Sequence, residues 1–268
     1  MTDWTAFAGI VGVVLALLLV LARLSQDAVS GFVDDRSPHS DYNAEPTNHS
    51  TEQDQDTTPT PERRPSPTER LSPVTVLLNV GLSQGLFGVL LLAGVWFTSV
   101  PMAALGVDTA DPKSFGGVAF GVGIITGIGL YAINALGAAC ATALDHEYDH
   151  RLREHLTPET TTGWLILLGG VLPIIAGFEE LLFRGALIGA LSTGFSISPW
   201  LLAVGSSIAF AVGHGAQGRI GVLVTGVLGF GLAGIFVLTN SLLVVIIAHY
   251  LINALEFLIS GMLDIEWG

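Results

Sequence analysis

Residues 162–191 read TGWLILLGGVLPIIAGFEELLFRGALIGAL. As a helix this stretch is long enough to cross a hydrocarbon core about 30 Å thick. Its second half nevertheless carries Glu179, Glu180 and Arg184. An ionisable group at the centre of a membrane helix costs about 2.5–3.5 kcal/mol on the insertion scale, so such groups face one another inside a bundle and mark chemistry or transport. The pattern recurs twice downstream, as Phe210-x-x-x-His214 and His249-x-x-x-Asn253, each set among Leu, Ile, Val and Gly. Glutamate to activate water and histidine to assist it are residues that a hydrolase needs.

Outward from this stretch the chain keeps the same character. Of its 268 residues 50% are hydrophobic and 12% charged, and the mean hydropathy is +0.64. Apolar runs at 6–22, 74–100, 116–144, 162–191, 199–213, 220–238 and 241–261 predict an all-α fold, a polytopic membrane helical bundle of about seven transmembrane helices. Trp4, Trp96, Trp164, Trp200 and Trp267 all fall near predicted ends, where an interfacial aromatic belt places them. Pro173 and Gly177 predict a kink or break ahead of the glutamate pair. The spacings Gly81/Gly85, Gly117/Gly121 and Gly123/Gly127 suit close helix packing in lipid.

Four parts follow along the chain. Residues 1–24 form an N-terminal transmembrane anchor: no basic residue precedes the apolar run and Arg23 follows it, unlike a signal peptide. Residues 25–72 are rich in Asp, Glu, Thr, Ser and Pro and read as a disordered acidic linker, too poor in apolar surface to offset ordering. Residues 73–161 supply two transmembrane helices and a charged loop, and residues 162–261 hold the three motifs. The net charge of −13 sits mostly in two loops; nucleic-acid binding needs the opposite sign, so no nucleic acid is expected as a partner. Lys113 is the only lysine, and acidic, lysine-poor loops fit a halophilic source. Cys140 is alone, so an internal disulfide is impossible. Arg23, Arg36, Arg63, Arg64, Arg70, Arg151, Arg153 and Arg219 fall on one side of the predicted spans, which assigns that side to the cytoplasm.

Helical spacing divides the polar residues. Glu180 and Arg184 share a face, so they pair and make the buried charge tolerable. Glu179 is displaced by about 100° and is free to address a water. His249 and Asn253 share a face and both donate hydrogen bonds, as a developing oxyanion requires. At about 1.5 Å of rise per residue, Glu180, His214 and His249 fall within about 10 Å of one depth. Glu256 also shares the His249 face, but it nears the end of its span and reads as interfacial.

These three motifs, in this order, resemble the CAAX protease and bacteriocin-processing family (CPBP, also called Abi) of intramembrane endopeptidases. The resemblance covers about residues 162–260, including Gly177-Phe178-Glu179-Glu180-Leu181-Leu182-Phe183-Arg184-Gly185 and the approach Asn240-Ser241-Leu242 to His249. It implies a CPBP-like catalytic membrane domain over 162–261. In it Glu179 is the base for water, assisted by His214. His249 and Asn253 stabilise the tetrahedral oxyanion, and Glu180 with Arg184 supports the site. The cofactor stays open between a divalent metal such as zinc, held by Glu179, His214 and His249, and none. The implied partners are a membrane-anchored peptide or protein substrate and the lipid bilayer, with a multi-pass location in the cell membrane.

Other readings compete. His146-Glu147-Tyr148-Asp149-His150 fits the zincin pattern, two histidines on one helical face with a glutamate base. Its neighbours Asp145, Arg151, Arg153 and Glu154 are charged and His155 is too local to be a good third ligand, so a charged extension of the third span is the plainer reading. A catalytically idle scaffold or immunity-like protein of the same fold, or a transporter with a buried Glu/His/Arg path, would also bury such groups. Against the transporter, the polar groups sit only in the C-terminal half and no inverted repeat is visible.

Overall fold

In lipid every backbone N–H and C=O must be paired within the protein, which leaves long apolar runs the helix as their stable form. The computed structural model describes residues 1–34, 73–142 and 157–262. Among these the membrane helices are α1 Trp4–Asp34, α2 Pro73–Phe97, α3 Gly117–Thr142, α4 Thr161–Phe195, α5 Pro199–Gly213, α6 Gly218–Thr239 and α7 Leu242–Met262, and there is no strand. Six are long and apolar enough to span a membrane. The seventh, α5, has 15 residues and reaches only about 22 Å of a core about 30 Å thick. Leu82, Ile125, Leu223 and Leu238 are all two-thirds or more exposed, while Arg184 and Glu180 are fully buried. This is the distribution of a bundle whose solvent is hydrocarbon.

Two sequence expectations change and one gains detail. First, the N-terminal anchor also packs into the core of the bundle. Phe7, Val11 and Val14 are buried in the same core as Leu91 and Val95 of α2, and Asp3 N–H donates to Thr98 O at 3.0 Å. Second, α1 continues as helix to Asp34, ten residues into the segment read as disordered from residue 25; extending an existing helix avoids the nucleation cost that opposes isolated ones. The rest of the linker, the HEYDH stretch and Trp267 lie outside the described residues. Third, α4 does not break at Gly177, which lies within a continuous helical run. It widens instead into π-helical turns at Leu167–Val171 and Leu181–Ala190. Pro173 lacks an N–H and its ring opposes the carbonyl four residues back. A wide turn just ahead of it lets the helix run on without that hydrogen bond.

The small-residue spacings separate once neighbours are known. A β-carbon on Gly123 would lie 2.8 Å from Ile247 Cβ, and one on Gly127 would lie 2.9 Å from Leu251 Cβ. The α3 backbone therefore rests directly on α7. Gly117 and Gly121, with the same spacing, meet nothing within 4 Å.

A polar knot closes one end of the bundle. A 3-10 turn, Met102–Leu105, leads to Gly106 at φ 77°, where a β-carbon would strike the Phe236 ring at 2.6 Å. Leu242 N–H donates to Gly106 O at 2.8 Å. Ser241 Oγ donates to Ser114 O at 2.6 Å, and Ser241 Oγ accepts from Val244 N–H at 3.2 Å. The start of α7 is thereby tied to the loop before α3.

Candidate active site

Arg184 is the largest fully buried side chain in the described structure, and its surroundings explain how it is tolerated. Its Nη1 donates to Glu180 Oε1 at 2.6 Å, one turn back along α4. Its Nη2 donates to Gly229 O on α6 at 2.8 Å. Its guanidinium carbon lies 4.8 Å from the centre of the Phe210 ring on α5, a cation–π contact. Gly229 permits this: a β-carbon there would come within 2.9 Å of Phe210 Cδ1. Ser206 Oγ donates to Phe183 O at 2.7 Å and binds α5 to the second wide turn of α4.

Glu180 also serves a second helix. Its Oε1 accepts from His249 Nδ1 on α7 at 2.6 Å. Because a carboxylate only accepts, Nδ1 carries the proton and Nε2 is the outward nitrogen. That nitrogen stands 3.7 Å from Glu179 Oε2. The expected pairing of Glu180 with Arg184 is present, and a carboxylate–histidine contact is added to it. His249 is thereby oriented by one glutamate and presented to the other.

Glu179 is 6% exposed. Its Oε1 accepts from Gln84 Nε2 on α2 at 3.2 Å, and its Oε2 is buried with no hydrogen-bond partner. A gap of 3.7 Å between Oε2 and Nε2 is too long for a direct hydrogen bond; a water that contacts both atoms lies beside the line joining them, not on it. The two buried carboxylates are faced by one permanent cation, Arg184. If His249 is in its imidazolium form the four groups sum to zero charge, the arrangement that a low-dielectric interior tolerates.

His214 closes α5 and reaches the cluster through an aromatic ring. Its Nδ1 donates to Phe210 O at 2.8 Å, which leaves Nε2 as the outward nitrogen. The Phe210 ring centre is 4.4 Å from that of His214 and 6.1 Å from that of His249. Among the described residues His214 makes no hydrogen bond or ion pair with either glutamate. Asn253, one turn beyond His249, is half-buried. Glu256 accepts from Asn134 Nδ2 on α3 at 3.3 Å, a partner that the interfacial reading did not include.

A catalytic zinc takes three protein ligands at about 2.0–2.2 Å. Among the described residues no three His, Cys, Asp or Glu side chains gather as such a set. The conditional set of Glu179, His214 and His249 is therefore not assembled. Glu179 and His249 approach each other, whereas His214 is held at the end of α5 by its own backbone contact.

Sequence reading missed Gln84. The signal was available, since Gln84 is a polar side chain inside the apolar run of α2, where the rule that singled out Glu179 applies equally.

Residues 160–255 match the family model described as type II CAAX prenyl endopeptidase, Rce1-like, in agreement with the resemblance drawn from the motifs. The matched segment holds Glu179, Glu180, Arg184, His214, His249 and Asn253; α1, α2 and α3 lie outside it. No curated protein and no solved structure matches the chain.

Proposed function

We propose that the chain is an intramembrane endopeptidase of the cell membrane, cleaving a membrane-anchored peptide or protein by glutamate-activated water. The Rce1-like segment, embedded in a multi-pass helical bundle, supports the protease class. The observation that carries the mechanism is the buried, unpartnered Glu179 Oε2 facing His249 Nε2 at 3.7 Å. The family description points to a lipidated cysteine near the substrate's C-terminus as the anchoring group.

In this reading Glu179 Oε2 takes a proton from a water as its oxygen attacks the scissile carbonyl carbon. Negative charge develops on the carbonyl oxygen. The imidazolium Nε2–H of His249 and the amide of Asn253 donate to it. Glu180 holds His249 by Nδ1 and balances its charge, and Arg184 in turn holds Glu180. The proton on Glu179 passes to the leaving nitrogen as the C–N bond breaks, which restores the carboxylate. His214 acts at the edge of the site through its free Nε2.

The test is cleavage of a quenched fluorescent peptide carrying a farnesyl thioether, in proteoliposomes, by wild type and by Glu179→Gln. The amide keeps the shape and loses basicity, so turnover should vanish while the fold persists. Equal rates for the two proteins would overturn the reading.

A further inference from the structure

We infer that Gln84 is a positioning residue for Glu179, selecting which carboxylate oxygen meets the water. The inference rests on the peptidase reading and extends it to α2, which lies outside the segment matched to the family.

Gln84 Nε2 is 3.2 Å from Glu179 Oε1. The amide's orientation follows from its partner, because a carboxylate offers no hydrogen and the group facing it must be the NH2. A carboxylate rotates easily about its last torsion, which exchanges its two oxygens. In water this has no consequence. Here one oxygen is tied to α2 and the other is left 3.7 Å from His249 Nε2. The hydrogen bond from Gln84 therefore fixes the plane of the carboxylate and makes Oε2 the reactive oxygen. Gln84 Oε1 is itself buried without a partner, so the side chain gains no second bond in this pose.

β-carbons on Gly81, Gly85 and Gly88 would lie 3.5 Å from Val171, 3.6 Å from Ile174 and 3.7 Å from Phe178. These glycines form the face of α2 that lies against α4, and Gln84 sits among them. Phe87 stacks on Phe178 with ring centres 6.1 Å apart, which sets the register between α2 and the residue preceding Glu179. The β-carbon distances are ordinary van der Waals distances, so they show which face of α2 meets α4, and that face carries the Gln84 amide to the Glu179 carboxylate.

The test uses the full chain in proteoliposomes with the farnesylated peptide probe, comparing Gln84→Met and Gln84→Glu with wild type. The titratable group in contact with Gln84 is Glu179, which in turn faces His249 and lies on the helix bearing the Glu180–Arg184 pair. Gln84→Met keeps the length and removes the donor. It should lower kcat about 10–100-fold, the scale of a misplaced catalytic group, and leave KM nearly unchanged. Gln84→Glu supplies a donor only while the introduced carboxyl is protonated. Its rate relative to wild type should therefore rise as pH falls. An infrared difference spectrum between each protein and its Glu179→Gln counterpart isolates the Glu179 carboxylate band, and Gln84→Met should shift that band.

Wild-type kcat in Gln84→Met, or an unmoved band, overturns the inference. If wild type fails to cleave the probe, the peptidase reading falls, and the infrared arm alone decides the Gln84–Glu179 contact.

Discussion

Replacing Glu180 with glutamine removes one charge and almost no volume, and its cost can be worked from the contacts. Glu180 Oε1 takes two charge-assisted hydrogen bonds of 2.6 Å, from Arg184 and from His249. A hydrogen bond to a charged group contributes about 1.5–3 kcal/mol net, against about 0.5–1.5 kcal/mol for a neutral one. In Glu180→Gln each of the two should lose about 1 kcal/mol. The new NH2 replaces Oε2, which is buried without a partner, and stranding donors there costs about 1–3 kcal/mol more. The total, about 3–5 kcal/mol, agrees with the usual cost of breaking a buried ion pair from one side. Equilibrium unfolding in mixed micelles, titrated with a denaturing detergent, measures it. A cycle with Arg184→Met locates the origin, because removing the stranded cation should make the double variant less costly than the sum of the singles. A single variant within about 1 kcal/mol of wild type, below the range for a broken buried pair, would refute the account of Arg184, and so would a cycle without coupling.

Other outcomes follow from the same contacts. Gly123→Leu should push α7 off α3, costing about 1–3 kcal/mol by overpacking and reducing turnover by displacing His249. Gly121→Ala, with nothing within 4 Å, should leave both unfolding and turnover at wild type. His249→Ala and Asn253→Ala should lower kcat more than they change substrate affinity, because an oxyanion exists only along the reaction path; steady-state kinetics with a binding measurement on each variant separate the two. His146→Ala combined with His150→Ala should cleave the probe at near the wild-type rate, and a loss above about a hundredfold, the scale of a catalytic group, would restore the zincin reading.

Much of the fold was legible because hydropathy is a local property. The helix-forming runs and the Glu180–Arg184 pair both follow from residues near one another in the chain. What was not legible depends on which helix lies beside which. Gly117/Gly121 and Gly123/Gly127 look the same on paper, and only the second pair meets α7. The bond from His249 to Glu180 spans 69 positions, so helical spacing alone attached Glu180 to Arg184 and left His249 to Asn253. Gln84 was overlooked because its partner sits 95 residues away. The wide turns of α4 were half visible: Pro173 announces a disturbance, but whether a helix bends or swells there is settled by its neighbours. The shortness of α5 was plain in the sequence, yet it was counted as a full span because its composition is equally apolar.

The knot at Gly106, Ser114 and Ser241 has a mechanical consequence. It clamps α7 at its first residues, so displacements of that helix pivot there. His249 lies about 10 Å along the lever and the far end about 30 Å. A swing that carries Met262 through a given arc moves the imidazole by about a third as much. Thermal agitation at the outer end of α7, or the passage of a bulky chain beside it, thus reaches the Glu180–His249 contact strongly damped. The geometry tolerates motion at the rim because the fulcrum sits close to the chemistry.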